Sequence, residues 1–565
     1  ARMAAALGAR SLDDIPQDLT KLLSMLGKLR EKGFSGKLNA LPQMLKMSRW
    51  LPKRIRGRGA CQEVIMSNPD LEKLPVLTCW PHDGGPFITL PLVHTVDPET
   101  GQTNTGMYRM QVFDKVSTGM HWHMHKDGAS HYRKYQKLGQ RMPVTVTLGG
   151  DPAFTYAATA PLPPIIDEYL FAGVIRKRGV KLVKSLTNDI WIPADADIVI
   201  EGYVDTEEPL RTEGPFGDHT GFYSLADLYP VFHVTAITHR RGAVFPATIV
   251  GIPPQEDLWL GKATEKIFLM PIRTTIAPEI SDMHMPAAGV FHNLVLASMH
   301  SEYPGHARKV ASALWGAGQM MFNKIVVLLD EDIDLRNYTD VLDAIFGNTD
   351  PEQDLFFSTG PLDVLDHSSR SFAYGSKLGV DATRKSLQRD RVSLSGSFPG
   401  QVLSLPGVTG IGNHIIPAGL PFLILYVDKQ KTVSVADLHA RVSMLAGAEA
   451  LDYVCYLDHE AAHLDLESAL WLMTGNIDPQ RDFLRGNNPN GKLLAGFDAT
   501  RKTRTFDGFD RDWPNLTCMN RETIEKVDKK WESYRLGGFT ESPSRKFLPY
   551  QQGEGAVAAD PPGKQ

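Results

Sequence analysis

Cysteine and long apolar runs are both scarce in this sequence, and each shortage excludes a class of protein. The four cysteines among 565 residues are scattered and form no CxxC pair. Their spacing argues against a disulfide framework and indicates free thiols in a reducing compartment. We find no run of 18 apolar residues and no signal peptide, so a membrane span and secretion are not expected. A cytoplasmic location is therefore predicted.

An excess of positive charge is also missing. The formal net charge is −5, with 42% hydrophobic and 22% charged residues, which is ordinary for a globular protein. No global basic field is present to attract nucleic acid. A GxGxxG fingerprint after a strand is absent as well, which argues against dependence on NAD(P)H. The length exceeds what one hydrophobic core supports, so about two to four domains are expected.

The residue patterns that predict helices and strands change several times along the chain. Short β-rich runs such as PVTVTLGG and DIVIEGYV, separated by turn residues, predict an antiparallel barrel or sandwich in the first half. Later, helical and buried-strand patterns alternate, which predicts α/β structure. The predicted divisions are a helical segment (1–76) broken at Pro16, Pro42 and Pro52, a β-rich domain (77–302), an α/β domain (303–430), a second α/β unit (431–550) and a disordered tail (551–565).

Two short strings recur in the C-terminal half. GNTDPEQD (347–354) returns as GNIDPQRD (475–482), and DATRK (381–385) returns at 498–502. The spacings are 128 and 117 residues, and a strand ending in Leu-Asp precedes each pair of strings. We interpret the strings as two copies of one α/β unit, the second serving a structural role.

The stretch GMHWHMHKDG (119–128) raises the question of a metal site. If it is a strand, His121, His123 and His125 share one face and span about 13 Å. All three cannot then bind one tetrahedral zinc, so a polar pocket and a metal site remain equally open. Asn104 and Glu168 are further candidate ligands. An amide, a carboxylate and one imidazole form a hard set that suits Mn²⁺ or Mg²⁺.

A second cluster of polar residues lies in TEGPFGDHTGFYS (212–224). Glu213 and Asp218 are five residues apart across a Gly-Pro turn, and His219 follows. Charged residues among glycines are usually solvated turns. Two carboxylates near an arginine also suit general acid–base chemistry, and Arg109 is a candidate for that guanidinium.

Six strings, taken in order, carry a resemblance to a known family. They are TNTGMYRMQVF, GMHWHMHKDGA, LPPIIDEYLFAG, EGPFGDHTGFYS, GIPPQED and GSKLGVDATRK. Together they resemble the UbiD family of decarboxylases, from about Cys61 to Lys385. CWPHDGGPFITLPLVHT and the repeated unit look most like the menaquinone-biosynthesis branch.

The resemblance implies a prenylated flavin mononucleotide, made by a partner flavin prenyltransferase and held in a split β-barrel through Mn²⁺, with K⁺ nearby. The implied fold class is a mixed α/β (α+β) protein, with a helical N-terminal segment, the split β-barrel flavin-binding domain and a C-terminal α/β domain carrying the repeat. The implied metal ligands are Asn104, His125 and Glu168. The implied Glu-Arg-acid triad is Glu213, Arg109 and Asp218. The implied flavin contacts are Met107, Tyr108, Arg109, His121, Trp122, His123, Lys126 and Lys377, the two lysines being candidates for its phosphate.

The function implied is reversible, non-oxidative decarboxylation of an aromatic acid, with 1,4-dihydroxy-6-naphthoate as the expected substrate. Alternatives are another aromatic or polycyclic acid, carboxylation in the reverse direction, a flavin split-barrel oxidoreductase and a non-enzymatic assembly protein. A homo-oligomer, from dimer to hexamer, is expected. The N-terminal segment usual in relatives is expected to be missing here, either cleaved or absent.

Overall fold

The computed structural model describes residues 1–31, 47–163, 166–385, 392–394, 396–412, 419–432 and 434–561. The chain forms two compact units. The first unit comprises Ala1–Gly217, Ser224–Val250 and Trp259–Pro271, and the second comprises Asp218–Tyr223, Gly251–Leu258 and Ile272–Gln565. Across the described ranges, no helix combines the length and the apolar composition that crossing a membrane requires.

Helices and strands alternate along both units. The helices are α1 (Arg2–Leu7), α2 (Ile15–Glu31), α3 (Asp127–Leu138), α4 (Pro152–Ala157), α5 (Glu168–Arg176), α6 (Leu258–Thr275), α7 (His306–Trp315), α8 (Tyr338–Asn348), α9 (Phe398–Leu403), α10 (Val435–Ser443), α11 (Leu466–Asn476), α12 (Arg504–Asp507) and α13 (Arg521–Tyr534). The strands of the first part are β1 (Lys53–Arg54), β2 (Val64–Ile65), β3 (Phe87–Ile88), β4 (Leu92–Val96), β5 (Thr103–Met107), β6 (Met110–Asp114), β7 (Ser117–Gly119), β8 (Met142–Leu148), β9 (Lys181–Lys184), β10 (Trp191–Pro193), β11 (Ile198–Val204), β12 (Arg211–Glu213), β13 (Phe216–Gly217), β14 (Tyr223–Ser224), β15 (Asp227–Tyr229) and β16 (Val231–His239). The later strands are β17 (Ile280–His284), β18 (Leu294–Met299), β19 (Ile325–Asp330), β20 (Leu355–Pro361), β21 (Tyr374–Asp381), β22 (Val408–Gly412), β23 (Phe422–Val427), β24 (Tyr453–Asp458), β25 (Phe483–Asn487) and β26 (Leu493–Asp498).

A nine-stranded sheet dominates the first unit. Its order is β3-β6-β7-β16-β11-β8-β4-β5, with β2 joined to β16, and it curls into a half-barrel. Neighbouring strands run antiparallel. Aliphatic side chains of β8 and β11, including Val144, Val146 and Ile200, fill the core on one face. The predicted fold class, a mixed α and β protein with a split barrel, is confirmed.

The sequence run GMYRMQVF contributes to two strands rather than one. Strand β5 ends at Met107 and β6 begins at Met110, so Tyr108 and Arg109 lie between strands. The ring of Tyr108 covers Gly106, where an added Cβ would sit 2.4 Å from the ring. Only glycine fits such an approach. Because Tyr108 and Arg109 lie outside the strands, their side chains need not point to opposite faces of the sheet.

The histidine stretch is not a strand, which corrects the expectation for residues 119–128. Strand β7 ends at Gly119 and α3 begins at Asp127, with irregular backbone and a turn between them. The Nε2 atoms of His121 and His123 are 2.6 Å apart. Cα atoms two residues apart on a flat strand are about 6.6 Å apart, whereas the centres of these two rings are 4.5 Å apart.

The second unit contains two five-stranded sheets of the same topology. One has the order β17-β18-β19-β21-β20 and the other β22-β23-β24-β26-β25. In each, the three central strands run parallel and both outer strands run antiparallel. Helices α7 and α8 occupy the same places in the first copy as α10 and α11 in the second. The predicted repeat is therefore present as two copies of one fold.

The recurring strings form the same hydrogen bonds in each copy. An aspartate after the helix donates its amide to the carboxylate four residues on, and the threonine of DATRK donates to the aspartate before it. These pairs are Asp350–Asp354 (2.7 Å) and Asp478–Asp482 (2.8 Å), and Thr383–Asp381 and Thr500–Asp498 (both 2.6 Å). The strings recur because they tie the end of a strand to the preceding turn.

Substitution of the last lysine of each string should destabilise the two copies unequally. The Lys502 side chain is 3% exposed and its Nζ donates to the carbonyl oxygens of Asp498 and Thr500, both at 2.7 Å. The equivalent Lys385 is 32% exposed. We expect Lys502→Met to lower the free energy of unfolding by about 3 kcal/mol, because it removes the cation 3.3 Å from the buried Asp498 carboxylate. The matched Lys385→Met should cost about 1 kcal/mol or less. Urea unfolding of both variants measures the difference, and equal losses would contradict the explanation.

Two local expectations need correction. Pro16 does not break a helix, since it lies in the first turn of α2, where no amide donor is required. Pro42 lies outside the described residues. The tail was predicted to be disordered, but residues 551–561 pack against the rest of the second unit. For example, the amide of Ala558 donates to the carbonyl of Trp513 at 2.8 Å. Residues 562–565 lie outside the described part of the chain.

Candidate active site

A buried ion pair between Arg109 and Glu213 lies at the break between β5 and β6. Arg109 donates from Nε to Oε1 at 3.0 Å and from Nη2 to Oε2 at 3.1 Å. Their side chains are 7% and 0% exposed. Nη2 also donates to Ser224 Oγ at 3.1 Å, and the guanidinium lies 4.7 Å from the centre of the Phe216 ring. This bidentate pairing fixes the plane of the guanidinium in a site that excludes water.

The same carboxylate binds the histidine stretch. His121 Nδ1 lies 3.0 Å from Glu213 Oε2, and the Tyr229 ring packs 4.3 Å from the His121 ring. Burial alone would raise the pKa of Glu213, but the Arg109 charge and the His121 hydrogen bond outweigh it and lower that pKa to about 2. Glu213 is therefore a carboxylate at neutral pH. His123 extends this network through its contact with His121.

A second cluster lies between β5 and α5 in the same unit. Glu168 is the first residue of α5, and its Oε2 accepts the Thr105 amide at 3.0 Å. Burial raises the pKa of Glu168 to about 7, and the nearby charges of Asp167 and Asp127 add to that rise. A carboxyl group this hard to ionise is stabilised as a carboxylate by a bound cation.

Two buried donors near Glu168 lack partners among the described residues. They are Asn104 Nδ2 and Trp122 Nε1. Trp122 packs against Gly128, and the Tyr108 hydroxyl lies near the same backbone, with a pKa that burial raises to about 12. Buried polar atoms without a partner are rare and indicate a missing group. Asn104 and Glu168 together supply hard oxygen ligands, so these residues fit a divalent cation with an adjacent polar cofactor.

His125, the third predicted metal ligand, lies exposed in the turn before α3. Within the described ranges, no group of three or more His, Cys, Asp or Glu side chains is arranged to hold a metal. The predicted set contains only two such side chains beside the Asn104 amide. The three-ligand site therefore stays a prediction.

Asp218 and His219 form a pair in the second unit. Asp218 Oδ1 accepts the His219 amide at 2.7 Å and lies 3.0 Å from His219 Nδ1. Burial alone would lower the pKa of His219, but Asp218 outweighs it, and with smaller contributions from Asp363 and Asp257 that pKa rises to about 9. His219 therefore holds a proton at neutral pH. The pair thus consists of an imidazolium on His219 next to the carboxylate of Asp218.

Lys377 has different partners from those predicted. Its side chain is buried in β21, and its Nζ donates to the carbonyl oxygens of Met321 and Asn323 at 2.7 and 2.9 Å. These contacts tie down the sheet, so the structure does not favour Lys377 as a phosphate ligand. Lys126 precedes the first residue of α3, and the Met107 amide donates to the Ala158 carbonyl at 3.3 Å. Their predicted flavin contacts stay predictions.

Sequence reasoning missed two partners in this network. One is Ser224, the last residue of the string TEGPFGDHTGFYS. Its hydroxyl, close in sequence to the two carboxylates, could have been proposed as a further partner of Arg109. The link from His121 to Glu213 spans 92 residues, and no local pattern in the sequence predicts it.

Comparison with known proteins agrees with this description. The model of the 3-octaprenyl-4-hydroxybenzoate carboxy-lyase Rift-related domain matches residues 53–253, and that of the C-terminal domain matches residues 258–382. An uncharacterized protein of Aquifex aeolicus is 49% identical over 68% of this chain and 78% of its own length. One from Helicobacter pylori strain J99 is 37% identical over 88% of this chain and 80% of its own length.

Solved structures give the same result. Vanillic acid decarboxylase of Sedimentibacter hydroxybenzoicus, in closed form, matches with a TM-score of 0.57 and 26% identity, covering 66% of this chain and 81% of that one. The UbiD-class enzyme HmfF of Pelotomaculum thermopropionicum, in complex with FMN, matches with a TM-score of 0.57 and 26% identity, covering 70% and 83%. The fold is thus that of the UbiD-class decarboxylases, which are carboxy-lyases. The two family models together cover more than half of the chain, which belongs to the UbiD family of decarboxylases.

Proposed function

We propose that this protein removes CO₂ from an aromatic carboxylic acid without oxidation, using prenylated FMN. The observation that carries the proposal is the buried, bidentate pairing of Arg109 with Glu213, which fixes a cation in a dry site. An evolved form of the relative HmfF has been solved with prenylated FMN. A fixed guanidinium suits a carboxylate substrate because its donors match the two oxygens.

The cofactor site is assigned to the cluster around Glu168. Asn104, Glu168 and His125 would hold Mn²⁺, with K⁺ nearby, and Met107, Tyr108, Trp122, His123 and Lys126 would contact the flavin. When bound, the prenylated flavin supplies an acceptor for the electron pair that departing CO₂ leaves on the ring carbon. A flavin prenyltransferase must supply this cofactor.

The protein residues perform the remaining tasks. Arg109 orients the substrate carboxylate, and Glu213 keeps Arg109 in one rotamer. His121, bound to the same carboxylate, holds Glu213 in place from the other side. Asp218, with the proton held at His219, returns a proton to the ring carbon after CO₂ leaves. The roles of Arg109, Glu213 and His121 are supported by the contacts among them. The role of Asp218 rests on the resemblance to the family and on its pairing with His219.

The substrate is assigned from resemblance to the menaquinone-biosynthesis branch, which favours 1,4-dihydroxy-6-naphthoate. Protein co-expressed with a flavin prenyltransferase should release CO₂ from this acid faster than from hydroxybenzoates or other naphthoates. The absorption spectrum of the same protein should be that of the modified flavin. A plain flavin spectrum with NAD(P)H oxidation would favour the oxidoreductase alternative. Light scattering tests the predicted homo-oligomer.

The metal assignment gives a testable expectation. His125→Ala should lose manganese and flavin together, because His125 would help hold the metal and the metal would supply positive charge for the flavin phosphate. Elemental analysis and flavin absorbance measure both contents in one sample. His233→Ala is a matched control, since this histidine contacts Glu208 elsewhere in the same unit. Full flavin content without metal in His125→Ala would overturn the proposal that flavin binding needs the metal.

A further inference from the structure

A cavity of about 410 Å³ lies within the second unit, between the two copies of the α/β fold. Both sheets and helices α8 and α11 line it. Its walls are almost wholly aliphatic and aromatic. Equivalent positions of the two copies, 128 residues apart, both line it, as in the pairs Leu296 and Ile424, Val327 and Cys455, and Ile345 and Met473. The cavity is therefore a product of the duplication.

The size and chemistry of this cavity set the class of ligand. An apolar cavity of ~150 Å³ holds one benzene-sized molecule and stays dry, because water finds no hydrogen-bond partners there. A cavity of 410 Å³ is within the usual range of ligand sites, about 300–1,000 Å³. It has room for a hydrocarbon chain of about ten carbons.

The entrance lies at the first turns of α8 and α11. Tyr338 of α8 is 50% exposed, and Glu467 of α11 is exposed, while both also line the cavity. The apolar residues Leu342 and Leu470, which occupy equivalent places on these helices, are only partly buried. A carboxylate at the entrance disfavours an anionic head group and accepts a hydrogen bond from a hydroxyl.

We infer that this cavity binds the hydrocarbon chain of an uncharged amphiphile, such as an alkyl alcohol, with its hydroxyl beside Glu467. The cavity is lined by residues of the second unit alone, so this site does not depend on the proposed decarboxylation. An apolar interior suits a hydrocarbon chain, and the negatively charged Glu467 at the entrance suits an uncharged hydroxyl head group. A second copy of the chain is the other conceivable occupant, and the experiment includes it.

The direct test uses the full chain and the uncharged fluorescent probe N-phenyl-1-naphthylamine. We expect saturable binding of one probe per chain with a dissociation constant of about 1–10 µM. Decanol should displace the probe at least about tenfold more effectively than decanoate. In Glu467→Gln, this preference for decanol should shrink, with decanoate gaining affinity and decanol almost unchanged.

Filling the cavity should abolish binding. Val327→Phe with Cys455→Phe places two rings in it from equivalent positions. Ile345→Trp, on the partly exposed wall, is a milder alternative in case the double variant fails to fold. Thr339→Phe, exposed on α8, is the matched control and should bind like the wild type.

Three results would overturn the inference. The first is the absence of saturable binding to wild-type protein, and the second is equal binding by wild-type and folded Ile345→Trp protein. The third is binding of the probe only when dilution separates the subunits, as judged by light scattering, because the second copy would then fill the cavity. Melting temperature confirms that each variant is folded.

Discussion

Arg109→Lys should lose about 10³-fold in turnover while the protein still folds, in line with the removal of one well-placed charge-stabilising group. Lysine keeps the charge, but it cannot donate two parallel bonds to Glu213 and also orient a substrate carboxylate. In the structure Arg109 donates to both oxygens of Glu213 at 3.0 and 3.1 Å. The loss should therefore appear in kcat more than in KM.

The measurement is CO₂ release from the aromatic acid, alongside flavin absorbance and melting temperature. Ser224→Ala is the matched control, because it removes only the hydrogen bond to Nη2 at 3.1 Å. It should cost about ten- to thirtyfold, as a hydrogen bond to a charged group contributes about 1.5–2 kcal/mol at the lower end of its range. If Arg109→Lys kept wild-type turnover with a full flavin content, Arg109 would not orient the substrate.

Asp218→Asn should also lose most turnover, about 10²–10³-fold, with flavin and metal contents unchanged. Asparagine keeps the size of the side chain, but it neither donates an acidic proton nor holds the proton on His219. The two residues are joined at 3.0 Å between Oδ1 and Nδ1. Protonation of the ring carbon after CO₂ leaves should therefore slow. Hydrogen–deuterium exchange at the same carbon of the product should slow as well.

The pH profile separates this role from a structural one. Asp218 raises the pKa of His219 from 6.5 to about 9, so we expect activity to fall above about pH 9 in the wild type. Since the folded pKa is raised, the stabilisation from this pair is complete below pH 6.5 and is lost as pH rises through 9. In Asp218→Asn the alkaline limb should move toward 6.5.

Asp363→Asn is the control for the pH profile. Asp363 contributes less than Asp218 to the raised pKa of His219, so its loss should shift the limb slightly and leave turnover near the wild-type value. Wild-type rates of both CO₂ release and exchange in Asp218→Asn would mean that Asp218 is not the acid. His219→Gln would then show whether the imidazolium alone supplies the proton.

The sequence was sufficient to predict elements with a strong local signal. The buried strands β8 and β11 fall on the β-rich runs PVTVTLGG and DIVIEGYV. The repeat was also readable, because its turn strings must satisfy the same backbone hydrogen bonds in each copy. Such features depend on residues close together in the chain, and periodicity records them.

The partners of the site depended on tertiary structure. The resemblance already implied that Arg109 accompanies Glu213, although the two are 104 residues apart. The contact of His121 with Glu213, across 92 residues, is predicted by no local pattern. Lys377 shows the reverse case, where a plausible phosphate ligand is buried in a sheet and donates to carbonyl groups. Histidines alternate with other residues at 120–126 as they would in a strand. The segment is nevertheless irregular, with His121 in contact with Glu213 and with His123. The sequence by itself determined the fold class, the repeat and the kinds of chemistry present; the tertiary structure decided which charges meet, because burial and long-range packing set the partners and pKa values of these groups.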